Sequence, residues 1–329
     1  MLRLPNDVPA TAAFLDAHLS AHDNAPARIV AAIANAVVPL ADRLAAGRLS
    51  GDPDAVVGIN ESGDRQKALD VAAHEHMLTA LRSIGVARVL SEEADEIVEL
   101  HPDGDWIVAI DPIDGSGSIG VGAPLGTLFS VMPAMPDGFL AKGRSIVAAG
   151  YASFGHSVDF GFSLGDGVSI ATLDRTAGGF RLARRNVQLA PSTGSVAYNA
   201  SNERHWPGPL RAYVRDLIAG KEGPRGREFN MRWLAAAVGE LHRILLQGGV
   251  FLYPGDSRAG YEHGRLRLVY EAAPIAFLVE QAGGRATDGL AAILDRIPAS
   301  LHEHTPLIFG AAEEVETIGR YLGAEQQRG

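Results

Sequence analysis

The residues that most constrain this chain are Trp106-Ile107-Val108-Ala109-Ile110-Asp111-Pro112-Ile113-Asp114-Gly115-Ser116. A run of apolar, partly β-branched residues reads as a buried strand, and it leads straight into a rigid acidic turn. Pro112 restricts the backbone after Asp111, and Gly115 permits the sharp departure that aims both acids at one point. Two carboxylates placed where a strand leaves the core repel each other unless a cation lies between them. The Ile113 carbonyl between them is a further oxygen ligand. Gly115 and Ser116 are expected to open a helix whose free N–H groups favour a phosphate. The plain alternative is a strand-to-helix turn with an aspartate as cap.

Other acids sit at similar junctions. Ser91-Glu92-Glu93 follows the apolar Ala87–Leu90 stretch; Glu92 is placed to bridge two cations and Glu93 to take a proton from an attacking water. Asp64 and Asp70 flank a helix start, Asp64 as ligand or N-cap and Asp70 as a partner of Glu93 in orienting that water. Glu271 ends Arg265–Tyr270, read as a strand with Arg265, Arg267 and Val269 on one face. The chain contains no cysteine, so disulfides, thiolate chemistry and a zinc–sulfur site are excluded. Oxygen-only ligands favour a hard ion, magnesium or manganese. Two or three such ions fit phosphoryl transfer to water, with positioning and charge neutralisation supplying most of the acceleration.

With 329 residues, two domains are expected, and we place the junction near residue 190 (1–190 and 191–329). A hydrophobic content of 47% against 21% charged residues marks a globular chain. A formal charge of -10 without a compact basic stripe argues against nucleic acid. The first residues lack a secretory pattern and no apolar run reaches the length of a membrane span, so a cytoplasmic protein with no membrane partner is expected.

Helices are predicted over Phe14–Leu19, Ile29–Leu44 (bent or divided by Pro39), Lys67–Ile84, Pro209–Ile218, Met231–Leu246 and Pro274–Ala282. Strands are predicted over Val86–Leu90, Trp106–Ile110, Leu125–Met132, Ser145–Phe154, Phe160–Leu164, Val168–Leu173, Phe180–Leu182, Val250–Tyr253 and Leu266–Tyr270. The glycine-rich turns among the middle strands point to an antiparallel meander.

With these motifs the chain resembles the class I fructose-1,6-bisphosphatase family, within the magnesium-dependent, lithium-sensitive sugar and inositol phosphatases. The resemblance runs from Gly63–Asp70 through Ser91-Glu92-Glu93, the acid turn, Tyr253-Pro254 and Leu266–Glu271 to Gly283-Gly284. Ser116, where inositol phosphatases have threonine, Leu266–Pro274, where they have a Trp-Asp motif, and His242-Arg243 with Gly248-Gly249 narrow it. It implies a layered α-β-α-β-α sugar phosphatase fold of mixed α/β class. It also implies hydrolysis of the 1-phosphate of fructose 1,6-bisphosphate. Glu92, Asp111, Asp114, Glu271 and the Ile113 carbonyl would hold two magnesium ions, and Asp64 with Glu92 a third. Asp70 and Glu93 would activate water, and Ser116 would touch the 1-phosphate. Asn199 and Tyr253 would hold the distal phosphate, with Trp233 in the place of a second tyrosine and Arg265 in that of a lysine. Arg232 resembles an arginine that reaches into a neighbouring subunit, which implies a homo-oligomer, usually a tetramer.

The departures cluster in the sugar pocket. Gly117-Ser118 replaces Ser-Asn, Leu234–Ala237 replaces Val-Gly-Ser-Met, Ala273 replaces asparagine, and Trp233 has no phenolic hydroxyl. Sedoheptulose 1,7-bisphosphate is therefore an alternative substrate. An inositol- or nucleotide-type phosphomonoesterase would not need Arg232 and Arg265, and a non-enzymatic relic would leave the acids unconverged. His74 and His76 share no helix face; His302 and His304 are expected at the surface or in oligomer contacts. The N-terminal helices do not resemble the animal AMP site.

Overall fold

The computed structural model describes residues 12–59 and 65–326. Its organising element is an eight-stranded sheet. From edge to edge the strands are Gly179–Val187, Val168–Asp174, Val158–Ser163, Ala148–Phe154, Leu125–Pro133, Trp106–Asp114, Arg88–Ser91 and Val98–Glu99. All neighbours are antiparallel except Arg88–Ser91 and Trp106–Asp114, which run parallel. The expected meander is present, and it extends back to the acid-bearing strand.

Continuous apolar strands such as Trp106–Asp114 need cover on both faces. One face carries α1 (Leu15–Ser20), α2 (Ala25–Ala45) and α3 (Ala68–Ser83), whose Leu15, Ile33, Val37, Met77 and Leu81 pack on Val108, Phe129 and Phe160. The other face carries α5 (Ala237–Gln247) and α6 (Ala273–Gln281), with Leu241, Ile275 and Leu278 against Leu128 and Tyr151. Beyond α5 and α6 lies a five-stranded sheet of Asn230–Met231, Ser195–Tyr198, Val250–Tyr253, Leu307–Gly310 and Arg285–Thr287. Its outer face is covered by α4 (Gly208–Ile218) and α7 (Ala312–Gln326) through Leu210, Tyr213, Val315 and Ile318. The layers are therefore α-β-α-β-α, as expected.

Four expectations need correction. Pro39 does not divide α2, because its ring and missing N–H lie on the exposed side of one continuous helix. α2 is also long and apolar enough to cross a membrane, contrary to the expectation of none, yet half of its apolar window is buried against the sheet side. The helix expected from Met231 begins only at Ala237, since Asn230–Met231 pairs with Ser195–Val196 and Ala235 takes a φ of 61°. The strand expected over Leu266–Tyr270 stops at Arg267 and gives way to a π-helical turn, Leu268–Ala272, so its predicted face alternation does not exist.

Candidate active site

The acid turn is part of its strand rather than an appendage to it. Asp111 pairs with Leu128 and Asp114 with Gly126, so three steps along one strand match two along its neighbour. In a regular strand residues three apart point to opposite faces; the extra residue of a bulge brings both acids to one side. The bulge is held by Thr127 Oγ1, which donates to the Pro112 carbonyl at 2.8 Å, and by the Ile113 N–H, which donates to Asp111 Oδ1 at 2.9 Å. Opposite it only glycine fits at 126, because a Cβ there would lie 2.0 Å from the Ala152 carbonyl oxygen. Gly115 then turns the chain with a φ of 80°. It opens a single 3-10 turn, Ser116–Ser118, and not the longer helix expected.

A second irregularity delivers the third acid. The π turn over Leu268–Ala272 carries Glu271 into the same space, a use of π geometry common at functional sites. Oxygens of Asp111, Asp114 and Glu271 all lie within 4.8 Å of one another, and all three residues are buried. Each has a fixed orientation. Val238 N–H donates to Asp114 Oδ2 at 2.7 Å, and Arg267 N–H donates to Glu271 Oε2 at 2.5 Å. Parallel pairing of Arg88–Ser91 with Ile107–Ile110 sets Glu92 beside Asp111, close enough for their carboxyl groups to act on each other electrostatically.

Burial is the main cause of the raised pKa values of Glu92, Asp111, Asp114 and Glu271. It lifts Glu92 to about 7, with repulsion from Glu93 and Asp114 adding to it. Asp114 rises to about 6 despite the Val238 N–H. Asp111 and Glu271 rise well above the ordinary carboxylate range, each further raised by the charges of Glu92 and Asp114. The Arg267 guanidinium, itself 8% exposed, opposes the rise at Glu92 and Glu271. An all-oxygen set of buried, mutually repelling carboxylates fits a hard divalent cation, and Asp111, Asp114 and Glu271 are the residues that would hold it.

Asp70 lies in the first turn of α3, where its Oδ2 accepts the Lys67 N–H at 3.2 Å. Its Oδ1 is buried without a hydrogen-bond partner among the described residues, and burial lifts the pKa of Asp70 to about 6. The Lys67 ammonium donates to the Ser116 carbonyl at 2.7 Å, so one residue ties α3 to the loop after Asp114. Glu93 is half-buried, with its N–H on Ser91 Oγ at 3.3 Å. Ser91 Oγ also meets buried His74 Nδ1 at 2.9 Å. Asp64, named as a third-ion ligand, lies outside the described residues.

The residues named for the distal phosphate gather at the ends of the second sheet. Tyr253 closes the strand Val250–Tyr253, and Trp233 lies 6.3 Å from its ring while stacking on Phe251 at 5.8 Å. Arg232 is exposed, its side chain turned back to the Met231 carbonyl. Arg265 is exposed over the Tyr261 ring at 4.8 Å and acts electrostatically on Tyr253. Asn199 spends its Oδ1 on Ser201, accepting from the N–H at 3.1 Å and the hydroxyl at 2.6 Å.

Sequence reasoning missed Lys67, Arg267 and His302. His302 is no surface residue in isolation. Its Nε2 must donate to the Asp95 carbonyl at 3.1 Å, so its Nδ1 accepts the Tyr270 hydroxyl at 2.9 Å. It thereby joins the loop after Glu93 to the turn bearing Glu271. Only the basic character of Lys67 and Arg267 beside acids was visible beforehand.

Two family models match the chain: "Fructose-1-6-bisphosphatase, N-terminal domain" over residues 45–185 and "Fructose-1-6-bisphosphatase, C-terminal domain" over residues 189–323. Relatives named fructose-1,6-bisphosphatase class 1 from Brucella suis (strain ATCC 23445 / NCTC 10510) and Brucella abortus (strain S19) are each 52% identical over 314 residues. Those alignments cover 94% of this chain and 92% of theirs. Among solved structures, the Leishmania major fructose-1,6-bisphosphatase in holo form is similar with a TM-score of 0.88 at 28% identity. That similarity covers 95% of this chain and 99% of the other.

Proposed function

The chain belongs to the class 1 fructose-1,6-bisphosphatase family, and from that premise we infer that it hydrolyses the 1-phosphate of fructose 1,6-bisphosphate to fructose 6-phosphate and phosphate. The observation that carries the reading is the convergence of Asp111, Asp114 and Glu271, from strand and π turn, within 4.8 Å. A divalent cation held there would neutralise charge at phosphate oxygens and lower the pKa of water. We assign that role to magnesium, in two or three positions, with manganese as the substitute. Glu92 and the Ile113 carbonyl complete the ligands and Asp64 adds the third position.

The chain's own groups do the rest. Asp70 presents a carboxylate oxygen without a partner among the described residues and a pKa raised to about 6, suited to orient a water and receive its proton, with Glu93 beside the cluster as its partner. Ser116, on the loop pinned by Lys67, holds the 1-phosphate. Arg232, Trp233, Asn199, Tyr253 and Arg265 form the distal pocket and hold the sugar so that the 1-phosphate meets the acids. We place the domain division at residue 190, the assembly as a homotetramer through Arg232, and the protein in the cytoplasm.

Phosphate release from fructose 1,6-bisphosphate, sedoheptulose 1,7-bisphosphate and inositol phosphates, each with and without magnesium, tests the reading. Magnesium-dependent turnover highest on the fructose ester is expected. Equal turnover of inositol monophosphate, or turnover indifferent to magnesium, overturns it.

A further inference from the structure

The segment 232–238 joins the two halves of the site. At its start the Arg232 N–H donates to the Val196 carbonyl at 2.8 Å, and Trp233 lies on Phe251. At its end the Val238 N–H, already inside α5, donates to Asp114 Oδ2 at 2.7 Å. Between them Ala235 holds a left-handed backbone that a non-glycine residue adopts only when its surroundings force it.

The force comes from Glu240. Its carboxylate is fully buried, with Oε1 accepting the Leu234 N–H at 2.6 Å. Its Oε2 accepts from Arg243 Nε at 2.9 Å, and Arg243 reaches on to Ser195 Oγ at 3.3 Å and the Gly248 carbonyl at 3.3 Å. A buried charge held on both oxygens gives a rigid anchor, whereas the same charge with one partner removed is costly. Leu234 is the neighbour of Trp233 and Arg232. Val238, by contrast, lies in the first turn of α5, whose backbone bond from the Glu240 N–H to the Ala236 carbonyl at 3.0 Å does not depend on the Glu240 side chain.

We propose that Glu240 is a positioning residue for substrate specificity: through the Leu234 N–H it fixes the Arg232–Trp233 rim so that the distal phosphate is grasped in register with the acid cluster. It touches no substrate. The proposal rests on the function inferred above. It separates the two ends of the segment, because loosening Leu234 frees the rim while α5 continues to hold Asp114.

Glu240→Asp keeps the buried charge and its Arg243 partner but withdraws an oxygen from Leu234; Glu240→Gln keeps the length and removes the charge. Kinetics on fructose 1,6-bisphosphate and calorimetric binding of fructose 6-phosphate, which carries only the distal phosphate, are measured for both and for the parent. Glu240→Asp is expected to raise KM and weaken fructose 6-phosphate binding about tenfold, while kcat at saturation stays within about threefold. Glu240→Gln, whose amide oxygen still reaches the Leu234 N–H, is expected to stay within about threefold of the parent in KM and fructose 6-phosphate binding. Unchanged KM and binding in Glu240→Asp, or kcat and KM lost together, overturns the proposal. A parent enzyme that binds fructose 6-phosphate without hydrolysing the bisphosphate would instead sink the inferred activity, and the binding arm would still judge Glu240.

Discussion

The acid cluster and the distal rim are built on opposite principles. The cluster is buried, and each acid of the converging triplet is gripped: Asp111 by Ile113, Asp114 by Val238, Glu271 by Arg267. The rim exposes its cations, Arg232 and Arg265, and is held from behind, by the stacking of Trp233 on Phe251 and the Glu240 carboxylate on the Leu234 N–H. Chemistry demands orientation within fractions of an ångström, so that region is locked; grasping a phosphate through charge tolerates longer, solvated side chains. The lesson is that the reaction type lies in the locked half and substrate choice in the looser one.

The sharpest break would come at Asp114. Asp114→Ala should lower kcat by about 10³-fold or more while circular dichroism shows a folded protein. Undiminished magnesium-dependent turnover would move the chemistry elsewhere.

Metal removal tests the cost of locking carboxylates together. Folded pKa values of about 6 for Asp70 and Asp114 and about 7 for Glu92 lie above ordinary carboxylate values. A raised folded value favours folding fully below the unfolded value, and that contribution is lost as pH rises through the folded one. Chelated protein should therefore melt several degrees lower at about pH 8 than at about pH 5.5. Saturating magnesium, which binds the ionised cluster, should remove most of the difference. A metal-free melting temperature that rises steadily over this window would contradict the geometry.

The rim should respond more gently. Arg232→Ala should raise KM for the bisphosphate about tenfold with kcat little changed, the signature of lost ground-state binding. A fall in kcat alone would erase the distinction between the two regions. Smallest of all, Trp233→Tyr restores a phenolic hydroxyl and should lower KM about two- to threefold, the size of one added hydrogen bond. A rise in KM would show that the indole stack is the more useful contact.

Much of the fold could be read from local pattern. The strands Leu125–Pro133, Val168–Asp174 and Val250–Tyr253 and the helices α2 and α3 were visible as apolar runs and three-to-four spacing, because their burial is regular. Regularity also explains the misses. The π turn at Leu268–Ala272 looked like a strand because Arg265–Tyr270 alternates basic and apolar residues, whereas the structure buries every residue from Leu266 to Tyr270; the helix expected from Met231 starts late because Asn230–Met231 joins the second sheet and Ala235 is left-handed. Lys67 and His302 escaped notice because their partners, Ser116, Asp95 and Tyr270, lie far away along the chain.

By itself the sequence determined the chemical inventory: no thiolate, oxygen ligands only, acids at the ends of apolar runs, and turn residues that let the backbone change direction. Local composition is enough for that, since each preference belongs to a residue and its neighbours. Which acids meet was decided by the tertiary structure, through a one-residue bulge opposite Gly126, a π turn before α6 and the N–H of Val238 arriving from α5. Side-chain direction in a strand reverses with a single inserted residue, so convergence within 4.8 Å exists only once the neighbouring strands and helices have fixed the register.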